Sequence, residues 1–272
     1  MSFKNKTIFI TGASRGIGKA IALKLAADGA NIVVAAKSTE ENPKLGGTIF
    51  SAAEEIENAG GKALAVQTDI RSEEQIQSAI EKTIEKFGCI DILINNASAI
   101  ELSNTEKIES KRFDLMQSIN VRGTFLTTKY CIPHLQKSSN AHILTLSPPI
   151  NLNAKWLGPH IGYTITKYSM SMMALGWAKE LKKYSIASNT LWPRTTIATA
   201  AVKNLLGGDA LVNMSRTPEI IADAAYIILQ KPSVECTANN FIDENVLIDA
   251  GITNLEKYAV NPGGKLYPDL FI

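Results

Sequence analysis

TIFITGASRGIGKAIALKLA, residues 7–26, runs from an apolar, β-branched stretch through a turn with three glycines into a segment of helical period. Those residue types dictate a strand, a tight turn and a helix, in that order. Gly12, Gly16 and Gly18 let the turn bend sharply and let a ligand come close to the backbone. The helix that follows opens with unpaired amides and a partial positive charge, which suits the pyrophosphate of a dinucleotide. A glycine pattern alone is common. The strand before it and the helix after it make it specific.

The same alternation repeats outward from this unit. Apolar runs at 6–11, 31–36, 63–68, 91–96, 142–147 and 186–192 read as strands, and their continuous apolar character suits strands covered on both faces. Helical periods fall at 16–28, 48–59, 73–87, 109–136, 161–183 and 218–230. Strand alternating with helix throughout predicts an α/β, single-domain Rossmann fold over residues 1–272. Its parallel sheet is doubly wound, with right-handed crossovers and helices on both faces. Two pieces look added. KSTEENPKLGG (37–47) is a polar loop, and ITNLEKYAVNPGGKLYPDLFI (252–272) has the glycines and prolines of an extended strap.

Composition narrows the function. A net charge of +2 gives no electrostatic case for nucleic acid or an anionic membrane as partner. Cys89, Cys131 and Cys236 lack CxxC spacing and read as reduced thiols, and His134, His142 and His160 lack ligand spacing, so no metal site is expected. The N-terminus enters a strand at once, and no apolar run is long enough to span a bilayer. A cytoplasmic protein acting on a small molecule is expected.

An acidic residue ending the second strand would bond a ribose 2′-hydroxyl and mark NAD. That strand ends with Ala36 and is followed by Lys37, while Arg15 stands in the glycine turn. Two cations without a carboxylate suit a 2′-phosphate, so NADP(H) is the expected cofactor; solvated surface residues are the plainer alternative.

Tyr163 and Lys167 stand four apart in a helical segment and share a face. A free tyrosine titrates near pH 10, and a neighbouring ammonium favours the phenolate and pulls that value toward neutrality. A tyrosine and lysine so spaced arise often by chance. This pair opens the helix after the fifth strand, at the sheet edge where such folds place ligands.

TGASRGIG at 11–18, NNAS at 95–98, Asn120 within SINVRG, and YTITK together resemble the short-chain dehydrogenase/reductase family over essentially the whole chain. The resemblance implies that Tyr163 is the general acid/base, that Lys167 lowers its pKa and bonds the nicotinamide ribose, and that Asn120 holds a proton-relaying water. It implies cofactor contacts from Ser14 and Ile17 in the turn, from Asp69 and Ile70 after the third strand, and from the backbone at Asn95 to Ala97. For Asn95 and Asn120 the alternative is bracing of local backbone. It also implies a homodimer or homotetramer, pairing the helices at 109–136 and 161–183.

Two departures from the family stand out. Pro193-Arg194 replaces the usual Pro-Gly after the sixth strand, placing a charge near the cofactor; Thr195, Thr196 and Thr199 follow, and Thr199 is the expected cofactor contact. The family's carbonyl-binding serine falls on Ile150 when counted from the tyrosine and on Pro148 when counted from the strand end, and neither donates. Ser147, turned by the two prolines, is the expected donor, with Asn151, Asn153 or no donor as alternatives. Trp156, Leu157 and His160 are expected around the substrate mouth. The expected activity is hydride transfer between NADP(H) and a carbonyl or secondary alcohol of lipid-like character. The alternatives are reduction of an unsaturated acyl thioester and a non-catalytic, NADP-binding regulatory role.

Overall fold

Alternation of side chains along the first two strands sets the layers. In the computed structural model, which describes residues 2–272, β1 (Thr7–Thr11) and β2 (Asn31–Ala36) are buried along their whole length. Ile8, Ile10, Ile32 and Val34 pack on one face of the sheet, and Phe9, Val33 and Ala35 on the other. With both faces covered, a strand can be apolar at every position, which is why these runs show no polar alternation.

Helix α1 (Gly16–Ala26) follows the glycine turn and packs on the first face, joined by α2 (Ile49–Asn58). Thr48 and Ser51 form a reciprocal capping box at the start of α2. Next come β3 (Lys62–Gln67), α3 (Glu73–Phe87) and β4 (Ile92–Asn95). Ser72 caps α3, and Gly88 at φ 79° ends it in the left-handed conformation. The predicted helix at 109–136 is broken. α4 (Ser110–Met116) and α5 (Thr124–Leu135) flank a π-helical turn over Gln117–Gly123. Beyond β5 (His142–Thr145) lie a short α6 (Ala154–Leu157), the long α7 (Ile161–Glu180) and β6 (Ala187–Trp192).

The last third adds elements that periodicity did not reveal. A π turn (Val202–Gly207) leads into α8 (Gly208–Asn213) and the predicted α9 (Glu219–Leu229). β7 (Asn240–Ile242) and α10 (Asp243–Asp249) follow; β7 has only three residues, too few for a pattern. Among the described residues the seven strands form one parallel sheet in the order β3-β2-β1-β4-β5-β6-β7. The order reverses between β1 and β4, which opens a crevice at the carboxyl ends of the strands. No helix among the described residues is long and apolar enough to cross a membrane.

The strap is extended as expected but not loose. Ala259 pairs with Arg216, Pro268 pairs with Thr195, and Phe271 is buried at 1% exposure.

Candidate active site

Glycine geometry shapes one end of the crevice. Gly12 has φ +70°, and a Cβ there would lie 3.0 Å from Ala97 Cα. A Cβ on Gly18 would lie 2.5 Å from Asn96 Nδ2 and 2.8 Å from the Gly12 carbonyl. Asn96, expected only as part of a backbone contact, closes this junction with its side chain. Its Nδ2 donates to the carbonyls of Thr11 and Gly12, and the Asn96 and Ala97 amides donate to Thr11 Oγ1. Gly12, Ser14, Gly16 and Ile17 reach the crevice wall, while Gly18 lies beneath it. Such a cradle leaves backbone amides open to a phosphate and has no room for a side chain.

Beyond the turn, Arg15 donates to Ser38 Oγ and to the Gly47 carbonyl, and burial lowers its pKa. Lys37 lies 3.5 Å from Asp69. Asp69 is bonded more tightly by Arg71, which with Lys37 holds its carboxyl down to about 2. The loop at 37–47 reaches across to the opposite lip, where Asn204 Nδ2 donates to the Lys44 carbonyl at 2.7 Å.

At the other end stand Tyr163 and Lys167, 4% and 2% exposed. Lys167 Nζ donates to the Leu146 carbonyl at 2.6 Å and lies 5.1 Å from the Trp192 ring centre. Burial lowers its pKa to about 7. Burial drives Tyr163 upward, and the charge of Asp269 adds to it. The cause is the strap: the Phe271 ring stacks on Tyr163 at 6.2 Å, within a ring of Trp156, His160, Tyr168 and Trp192 at 5.3–6.0 Å.

Several expected residues point elsewhere. Asn120, inside the π turn, is fully buried and fully engaged. Its Oδ1 accepts from the Ala99 amide, and its Nδ2 donates to the Ala99 carbonyl and to Thr166 Oγ1, which donates to the Tyr163 carbonyl. The side chain braces the strand-end loop against the first turn of α7 rather than reaching Lys167. Asn95 turns into the helical layer, donating to Thr128 Oγ1. Ser147 is fully buried, its hydroxyl lacks a partner among the described residues, and it does not touch the crevice. The prolines end the strand but leave this side chain facing the interior.

The alternative donors are also engaged. Asn151 Nδ2 donates to the Phe271 carbonyl, and Asn153 caps α6 through the Lys155 amide. Trp156 and Leu157 pack against the strap instead of lining the mouth. His160 is buried, and its Nδ1 bonds Thr164 Oγ1. Arg194 does not bring a charge to the crevice. Its amide donates to Asp243 Oδ1 and its guanidinium to Asn245.

The structure gathers the rest around one cavity of about 600 Å³. Arg15, Lys37, Asp69, Ile70 and Ala97 line the end near the loop, Thr199 the lip, and Tyr163 and Lys167 the far end. Trp192, Asp269 and Leu270 join them there, unanticipated from sequence.

The short chain dehydrogenase family profile matches residues 6–208. Hydroxysteroid dehydrogenase-like protein 2 of Bos taurus is 59% identical over 266 residues, covering 98% of this chain. The chain spans 63% of that relative's length. A short chain dehydrogenase of Mycobacterium thermoresistibile is 55% identical, with TM-score 0.94 over 100% of this chain and 96% of that one. A structure from Xanthomonas campestris is 51% identical, with TM-score 0.97 over 100% and 99% of the two chains. The glycine cradle, the tyrosine–lysine end and these likenesses agree: the chain belongs to the short-chain dehydrogenase/reductase family of nicotinamide-dependent oxidoreductases.

Proposed function

We propose that the protein is an NADP(H)-dependent oxidoreductase acting on a carbonyl or secondary alcohol of apolar character. The observation that carries this is a single cavity lined by the glycine turn at one end and by Tyr163 and Lys167 at the other. Bound there, the cofactor supplies or accepts the hydride. The amides of the glycine turn hold its pyrophosphate, and Lys167 bonds its ribose. Tyr163 gives a proton to the substrate oxygen or takes one from it.

Preference for the 2′-phosphate rests on charge. Ala36 stands where an acid would mark NAD, and Arg15 is held at the same place by Ser38 and Gly47. The nearby carboxylate, Asp69, is neutralised by Arg71 and Lys37. Ile100, Leu115, Met116 and Leu270 support an apolar substrate. Self-association fits the outer face of α5 and α7, where Phe125 and Met172 are 48% and 62% exposed. Fluorescence titration with NADPH and NADH, followed by a screen of carbonyls and alcohols, tests the reading. NADPH binding at least about tenfold tighter and turnover of an apolar carbonyl are expected. Equal affinities or a barren screen would overturn it.

A further inference from the structure

The far end of the cavity lacks the hydroxyl that a short-chain enzyme turns toward its substrate. Ser147 is sealed in the interior, Asn151 and Asn153 are engaged, and Pro148 has nothing to donate. A different polar group faces Tyr163 and Lys167, and it comes from the strap.

Asp269 lines the cavity beside Leu270. Its backbone is fixed from several sides. Its amide donates to the Arg194 carbonyl at 3.1 Å, Trp192 Nε1 donates to the Leu270 carbonyl at 2.9 Å, and Pro268 pairs with Thr195. Two residues on, the Phe271 ring clamps against Tyr163. The Leu270 amide donates to Asp269 Oδ1 at 2.6 Å. No other hydrogen bond to this carboxyl is seen among the described residues, and the residue forms part of the cavity wall with Tyr163 and Lys167.

We propose that Asp269 is the catalytic donor to the substrate oxygen, doing through its carboxyl what a serine hydroxyl does elsewhere in the family. The inference rests on the hydride-transfer function proposed above. The groups around it keep a proton on the carboxyl. Burial first, and then the charge of Asp243 at the start of α10, raise its pKa to about 7 against the Leu270 amide and Lys167. Tyr163 faces it from α7, and the Arg194 guanidinium is turned away toward Asn245. In the reducing direction the Asp269 hydroxyl bonds the carbonyl oxygen. Hydride adds to the carbonyl carbon, the π electrons move to oxygen, and the Tyr163 O–H breaks to protonate that oxygen. Asp269 keeps its own proton. The phenolate left on Tyr163 regains a proton by way of Lys167.

The test uses Asp269→Ala and the isosteric Asp269→Asn, with phenanthrenequinone as the carbonyl probe and NADPH as reductant. Asp269→Ala should lower kcat about a hundredfold with NADPH affinity unchanged. Asp269→Asn should keep turnover within about tenfold, because an amide still donates. Infrared difference titration of the parent against Asp269→Asn should show a protonated carboxyl up to about pH 7. Parental kcat in Asp269→Ala, a fall of more than about a hundredfold in Asp269→Asn, or a carboxyl already ionised at about pH 5 would each overturn the proposal. Parental activity in Tyr163→Phe would instead remove the function on which it stands, and the infrared titration separates the two failures.

Discussion

Phe271→Ala should release the strap without unfolding the sheet. The ring is 1% exposed and stands 5.3–6.2 Å from five other aromatic side chains. Truncating a buried phenylalanine costs about 3–5 kcal/mol. The strap's remaining anchors include three hydrogen bonds, from Thr196 N to Tyr267 O, Asp269 N to Arg194 O and Trp192 Nε1 to Leu270 O. Such bonds contribute about 0.5–1.5 kcal/mol each, so the lost ring outweighs or matches what they retain. Local opening should therefore become about 10²–10⁴-fold more frequent. Hydrogen exchange at the Thr196 and Asp269 amides reads this directly, with the amides of β1 as the unmoved control. Acceleration of less than about threefold at both amides would refute the reasoning.

Lys37→Ala and Arg15→Ala should each narrow the proposed preference for NADPH over NADH by about tenfold in titrations, since each would remove one charged contact to a 2′-phosphate. Gly18→Ala should weaken binding of either dinucleotide and lower Tm, because the new methyl would meet Asn96 and the Gly12 carbonyl. Asn120→Ala should cost about 2–5 kcal/mol in urea unfolding, as the Ala99 amide and carbonyl both lose their partner. His142 is held neutral by burial, its pKa lowered from 6.5 to about 4, so the unfolded chain binds a proton in that window and the folded chain does not. Stability is then lost as pH falls from 6.5 toward 4, by up to about 3 kcal/mol. His142→Gln should show a smaller loss than the parent between about pH 7 and about pH 4.5 in urea midpoints.

The legible parts of the sequence were those with local causes. β1, the glycine turn and α1 follow from neighbouring residues, and the continuous apolar strands announced a sheet covered on both faces. Tyr163 and Lys167 were legible because a helix fixes their relation at four residues. Long-range contacts left no such trace. Nothing in PDLFI indicates that Phe271 will lie on Tyr163, more than a hundred residues earlier. Ser147 failed for a related reason, since whether a strand-end side chain turns inward depends on packing rather than on the prolines after it. The π turn around Asn120 leaves no signal in the sequence because its residues carry an ordinary helical pattern. β7 is too short for periodicity to register.

Turnover by Tyr163→Phe, measured beside NADPH affinity, tests the central claim most directly. The substitution removes one hydroxyl and leaves the ring that stacks on Phe271. Turnover should fall about 10²–10⁴-fold with NADPH binding unchanged, because the proton that the substrate oxygen needs is gone. Parental turnover in this variant would contradict the account.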